Sequence, residues 1–81
     1  MKLHVGNIPP DTTEDELREE FMNFGEVESV SIEESHYHGK GKPFAWVVMP
    51  SEADARNAVT SFLKGRKFKG GELDVDPHPS I

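Results

Sequence analysis

Two segments of this sequence repeat apolar residues at helical spacing, and this feature constrains the fold more than any other. The first stripe has spacings of four and three and consists of Leu17, Phe21 and Phe24. The second follows the i, i+3, i+4, i+7 pattern and consists of Ala55, Ala58, Val59 and Phe62. A helix with one apolar stripe is stable only when another element covers that stripe. The rest of the chain must therefore form a layer against which both helices pack.

Each stripe is preceded by residues that are typical of a helix start. Thr13 and Glu16 predict a capping box, in which each residue binds the backbone of the other, and Ser51 with Asp54 predicts a second one. Gly25 follows the first stripe and is predicted to end that helix, because glycine adopts the left-handed conformation without steric cost. The sequence thus predicts the start of both helices and the end of the first.

Four further segments alternate in polarity with the period of two that is typical of a half-buried strand. They are Lys2–Asn7, Val27–Glu33, Lys42–Met49 and Glu72–Asp76. Segments 35–41 and 64–71 contain glycines and are interpreted as loops, and regular structure is expected to end at Pro77 and Pro79. The order β-α-β-β-α-β predicts an α+β, ferredoxin-like fold. Its four-stranded antiparallel sheet would carry both helices on one face and leave the other face open to solvent.

Length and composition limit the function classes. A chain of 81 residues is expected to form one domain over residues 1–81 without room for a cofactor-sized cavity, so we expect neither an enzyme nor a cofactor. Cysteine is absent, and His36 and His38 have no third ligand nearby, so we expect no metal site. No apolar run could cross a bilayer, and we expect a soluble cytoplasmic protein, with a nuclear one left open. The net charge of −6 opposes nucleic-acid binding, but the charge is unevenly distributed.

Two stretches resemble the signature motifs of the RNA recognition motif (RRM) family. Leu3–Ile8, on the first predicted strand, matches the hexapeptide, and Lys42–Met49, on the third, matches the octapeptide with its alternating basic, small and aromatic positions. Pro43 and Met49 depart from the octapeptide pattern, and His4 stands where the family usually has Phe or Tyr. The resemblance extends over the whole chain. It implies a module that binds single-stranded RNA on the open face of the sheet.

Strand parity indicates which side chains reach that face. The alternate apolar positions expected under the helices are Leu3, Val5, Ala45 and Val47. His4, Phe44 and Trp46 then project from the open face, where stacking of a nucleobase on each ring would contribute about 1–3 kcal/mol. The alternatives are a reversed parity, in which Phe44 and Trp46 belong to the core, and a His4 that is only a solvated polar residue.

Charged residues should define the path of an RNA strand over the open face. The candidates for phosphate contacts are Lys2, Lys40 and Lys42, the alternative being that each lysine is simply solvated. Acidic residues expected at the edges of the same face are Glu33, Asp74 and Asp76. Because carboxylates repel phosphates, we expect RNA to follow the two central strands and to bind with modest affinity.

A second function is compatible with the same family resemblance. UHM-type relatives bind a Trp-containing peptide of a protein partner through an Arg-x-Phe tripeptide that faces an acidic first helix, and Arg66-Lys67-Phe68 matches that tripeptide. The acids of the first predicted helix are Asp15, Glu16, Glu19 and Glu20. In RNA-binding relatives, by contrast, the equivalent Phe packs against the helices. The exposed aromatics of the octapeptide favour a monomer whose partner is single-stranded RNA, with a protein partner as the alternative and no membrane partner.

Overall fold

The chain folds in the order that the alternating patterns predict. The structure, a computed structural model, describes residues 1–33 and 43–78. Its elements are β1 (Lys2–Gly6), α1 (Glu14–Met22), β2 (Ser29–Glu33), β3 (Phe44–Val48), α2 (Glu52–Leu63), β4 (Lys67–Phe68), β5 (Gly71–Glu72) and β6 (Asp74–His78). The predicted ferredoxin-like order is confirmed, with a short β4–β5 hairpin inserted before the last strand. The loop expected at 35–41 lies outside the described residues.

The main sheet is antiparallel and has the strand order β2-β3-β1-β6, so that β1 and β3 are central. Leu3 pairs with Val47, and His4 pairs with Trp46. Directly paired residues of an antiparallel sheet project from the same face, and the next pair projects from the other. Leu3 and Val47 have no exposed surface. The His4–Trp46 pair must therefore lie on the opposite, open face, and the parity predicted from the sequence is confirmed.

Both helices pack on the closed face through their apolar stripes. Leu17 and Phe21 of α1 are buried, as are Ala55, Ala58 and Phe62 of α2. The rings of Phe21 and Phe62 lie 5.5 Å apart, so the two stripes meet each other as well as the sheet. This closed face holds the core and leaves the other face of the sheet free for function.

The predicted helix starts are present. The Glu16 backbone N–H donates to the Thr13 hydroxyl over 3.2 Å, and the Thr13 N–H donates to the Glu16 carboxylate over 2.9 Å, which completes the capping box of α1. At α2 the Asp54 N–H donates to the Ser51 hydroxyl over 3.3 Å. No bond returns from the Ser51 N–H to the Asp54 carboxylate among the described residues, so the second capping box is only half formed, because the aspartate side chain is shorter than the Glu or Gln of a full box. Each bond satisfies a backbone donor that the first turn of a helix would otherwise leave without a partner.

The prediction that a left-handed glycine ends α1 is wrong. The helix ends at Met22, and its C-cap Asn23 is right-handed with a φ of −63°. Gly25 has a φ of 158°, far from the left-handed helical value. Its role is steric instead, because a Cβ added at Gly25 would lie 2.7 Å from the Cβ of Asp54, which is closer than two such atoms can approach. Glycine at this position allows the chain after α1 to pass directly over the first turn of α2.

The end of the sheet also differs from the prediction. Regular structure does not stop at Pro77, which lies within β6 and pairs with Leu3. Because β6 is an edge strand, proline can occupy it without removing a hydrogen bond that an interior strand would need. Neither described helix has the length and apolar character required to span a bilayer.

Candidate nucleic-acid interface

Three aromatic side chains form a cluster on the two central strands of the open face. The ring centroids of His4 and Phe44 lie 5.4 Å apart and the planes are inclined by 25°, which is a stacked arrangement. Trp46 meets His4 edge-on at 5.0 Å and Phe44 edge-on at 6.0 Å. All three rings keep part of their surface exposed to solvent. The structure thus brings together the three aromatic residues selected from the sequence.

The backbone explains why these rings stand in the open. Ala45 and Val47 alternate with Phe44 and Trp46 along β3 and are fully buried under the helices. The two aromatic side chains of β3 therefore face solvent while smaller side chains are buried, although burying a Phe or Trp side chain would contribute more to stability than burying Ala or Val. Exposed aromatic surface grouped in this way is typical of a binding site.

Of the three lysines predicted to contact phosphates, the structure describes one. Lys2 is exposed, and its ammonium lies 4.5 Å from the centroid of the Trp46 ring, a cation–π contact at the rim of the aromatic cluster. Lys40 and Lys42 lie outside the described residues. Lys2 therefore places positive charge directly beside the Trp46 ring.

Acidic residues occupy both edges of the open face. Across the sheet, Ser31 pairs with Trp46, Trp46 with His4, and His4 with Asp76, so these four side chains form one row. Glu33 pairs with Phe44 at the β2 edge. The face thus has an aromatic centre between acidic margins, as expected from the sequence.

A shallow cavity of about 440 Å³ adjoins the aromatic cluster on its β6 side. The residues that line it on the open face are His4, Gly6, Asp74 and Asp76, and Leu73 and Phe62 extend it toward the end of α2. Sequence reasoning did not find this cavity. Its only signal in the sequence is Gly6, which removes a side chain from the strand position next to His4.

The basic residues of the β4–β5 hairpin are held in ion pairs. Arg66 Nε lies 2.5 Å from Glu20 Oε2, and Lys67 Nζ lies 3.2 Å from Glu72 Oε1. Lys69 Nζ lies 3.2 Å from carboxylate oxygens of both Asp11 and Glu16. The positive charges of Arg66, Lys67 and Lys69, in the segment interpreted from the sequence as a loop, are therefore paired with acidic side chains of the same domain.

The ion pair between Glu16 and Lys69 shifts the pKa values of both groups. The backbone N–H of Thr13 and the ammonium of Lys69 hold the pKa of Glu16 below its ordinary value. Desolvation lowers the pKa of Lys69, but hydrogen bonds to Glu16 and Asp11 outweigh it and leave the pKa above its ordinary value. Both shifts favour the charged forms, so the pair stays ionised near neutral pH.

The Arg-x-Phe tripeptide is also engaged within the domain. Phe68 is only 6% exposed and belongs to the core, which is the placement expected on the RNA-binding alternative. The Arg66 guanidinium lies 5.0 Å from the centroid of Phe24 while it pairs with Glu20. Over residues 1–33 and 43–78, no group of three or more metal-ligating side chains comes together.

Comparison with known proteins identifies relatives that cover nearly the whole chain. The profile of the RNA recognition motif family matches residues 3–74. Over 73 residues, 90% of this chain and 28% of the relative, the sequence is 41% identical to a serine/arginine-rich SC35-like splicing factor, SCL30, of Arabidopsis thaliana. Over 76 residues, 94% of this chain and 73% of the relative, it is 32% identical to the putative RNA-binding protein RbpB of a Nostoc species. The chain thus spans less than a third of the plant protein and nearly three quarters of the cyanobacterial one.

Solved structures that resemble this fold also cover nearly the whole chain. A crystal structure of the RNA-binding protein PG1 superposes with a TM-score of 0.80 at 28% identity and covers 99% of both chains. The third RRM domain of Mip6 superposes with a TM-score of 0.82 at 28% identity, covering 95% of this chain and 91% of that one.

Proposed function

The chain belongs to the RNA recognition motif family, and we propose that it binds single-stranded RNA by stacking bases on His4, Phe44 and Trp46. The observation that carries this proposal is the cluster of three partly exposed rings on the central strands. A flat sheet that presents aromatic rings is the platform on which domains of this kind stack bases. Because every base has a π-face, this contact by itself tolerates any sequence.

The relatives support RNA as the ligand. The cyanobacterial relative is named as an RNA-binding protein, and the plant relative as a splicing factor. This chain spans only 28% of the plant protein, so we carry over the binding of RNA and not a role in splicing. On this proposal the domain acts as a monomer, catalyses no reaction and works in the cytoplasm.

The distribution of charge supports a short binding path. Lys2, Lys40 and Lys42 are proposed to contact phosphates, with Lys2 moving from its place over Trp46 when a base stacks there. The acidic margins at Glu33 and Asp76 confine the strand to β1 and β3. With few phosphate contacts, affinity should be modest and should come largely from the rings.

The test is a titration of the labelled domain with short single-stranded RNA of random sequence, followed by amide chemical shifts. We expect shifts concentrated in β1 and β3, and a loss of about 1–3 kcal/mol of binding free energy in Phe44→Ala and in Trp46→Ala. Met22→Ala is the matched control, since it removes a large side chain that is 56% exposed on α1, away from the sheet. Ring-deletion variants that remain folded and bind as tightly as the parent would contradict the proposal.

A further inference from the structure

The cavity beside His4 is lined by two carboxylates, which stacking of bases without regard to sequence would not require. His4 pairs with Asp76, and Gly6, two residues along β1, pairs with Asp74. All four residues line the cavity of about 440 Å³. A base stacked on the aromatic cluster and directed toward β6 would therefore meet two carboxylates at its edge.

Gly6 keeps that approach open. A Cβ built at Gly6 would lie 3.7 Å from the Cβ of Asp74 and 3.7 Å from Cε1 of His4, so any side chain here would occupy the gap between ring and carboxylate. Glycine leaves this gap empty and gives the cavity its floor. The space next to the ring is thus available to the edge of a base.

Within residues 1–33 and 43–78, no ion pair engages either carboxylate. The ion pairs within the described residues use other acids, namely Asp11, Glu16, Glu20, Glu52 and Glu72. An ionised carboxylate only accepts hydrogen bonds. Asp74 and Asp76 therefore offer acceptors, and no donor, to whatever enters the cavity.

We infer that Asp74 and Asp76 make this face select guanine and reject uracil beside His4, an inference that rests on the proposed binding of RNA. The Watson–Crick edge of guanine carries two adjacent donors, N1–H and the N2 amino group, which match the two oxygens of a carboxylate. Uracil presents carbonyl oxygens on both sides of its single N–H and is repelled. Adenine and cytosine, each with one amino group beside a ring acceptor, rank between them. Specificity here comes as much from repulsion of the wrong base as from attraction of the right one.

The test uses short oligoadenylate strands that carry one guanosine, one inosine or one uridine. Inosine is the informative probe, because it is guanosine without the N2 amino group. The parent should bind the guanosine strand at least about tenfold more tightly than the uridine strand, with inosine between them. In Asp76→Asn or Asp74→Asn the preference for the guanosine strand over the uridine strand should fall about fivefold or more. The asparagine amide can donate a hydrogen bond to a uracil carbonyl, so uracil is no longer repelled.

Glu33→Gln is the matched control, since it removes the same charge from the opposite edge of the open face, beside Phe44. It should strengthen binding of all three strands by the same factor through weaker repulsion of phosphates. If both aspartate variants do likewise, or if the parent binds the guanosine and uridine strands equally, the inference is wrong and the proposed RNA binding stands. If the parent binds none of the strands, both the inference and the proposed function fail.

Discussion

Arg66→Ala separates the two functions that the family resemblance allows. On the RNA-binding proposal, Arg66 stabilises the domain and takes no part in binding. It pairs with Glu20 and lies over Phe24, on the helix side of the sheet. On the peptide-binding alternative, the same arginine would form one wall of the pocket for the tryptophan of a partner.

The structure sets the size of the expected effects. The side chains of Arg66 and Glu20 are 38% and 16% exposed, so their ion pair should contribute up to about 1 kcal/mol to stability. The contact with Phe24 adds about 0.5–1 kcal/mol. Arg66→Ala should therefore lower the free energy of unfolding by about 0.5–2 kcal/mol. Its effect on RNA affinity should stay below about 1 kcal/mol, which corresponds to one phosphate contact at the rim at most.

Arg56→Ala is the matched control, because Arg56 also pairs with an acid, Glu52, but with side chains that are 70% and 64% exposed. Urea denaturation should show a loss below about 0.5 kcal/mol for this variant. RNA affinity measured by fluorescence anisotropy should stay within about 1 kcal/mol, roughly fivefold, of the parent for both variants. The reasoning would be refuted if Arg66→Ala alone weakened RNA binding by more than tenfold while remaining folded. Saturable binding of a Trp-containing basic peptide that is lost in Arg66→Ala would favour the protein-binding function instead.

Three further predictions concern charge, pH and packing. A plot of log affinity for RNA against log salt concentration should have a shallow slope of about −2, and Lys2→Ala should reduce the magnitude of that slope by about 0.7. A much steeper slope would indicate that RNA binds at the β4–β5 hairpin instead. Because the folded-state pKa of Glu16 is lowered, its contribution to stability is complete above the ordinary value of 4.5 and is lost as the pH falls toward the folded-state pKa. Glu16→Gln should therefore flatten the fall in Tm as the pH drops below about 4.5, whereas an unchanged Tm profile would exclude this role for the Lys69 pair. Gly25→Ala should lower the free energy of unfolding by about 1–3 kcal/mol, and Asp54→Gly, measured in a double-mutant cycle, should recover part of that loss; strict additivity would contradict the steric explanation.

The fold class and the identity of the open face could be predicted from the sequence alone. Helical stripes and period-two strands are local patterns, since they depend on residues that are neighbours along the chain. Alternation at positions 3, 5, 45 and 47 was sufficient to place His4, Phe44 and Trp46 on one face, and the burial of the apolar set agrees with it. The octapeptide and hexapeptide motifs then identified the family to which the chain belongs.

Only the tertiary structure decided which charges remain available for a ligand. Arg66 and Glu20 are 46 positions apart, and no local pattern indicates that the side chain of Arg66, just before the hairpin, meets α1 at Glu20. For the same reason the sequence suggested a left-handed cap at Gly25, whereas the structure shows a close approach to Asp54 of another helix. The cavity between His4 and Asp76 likewise depends on the register of β1 with β6. Periodicity determines which way a side chain faces, but the partner that it meets there depends on the packing of distant segments.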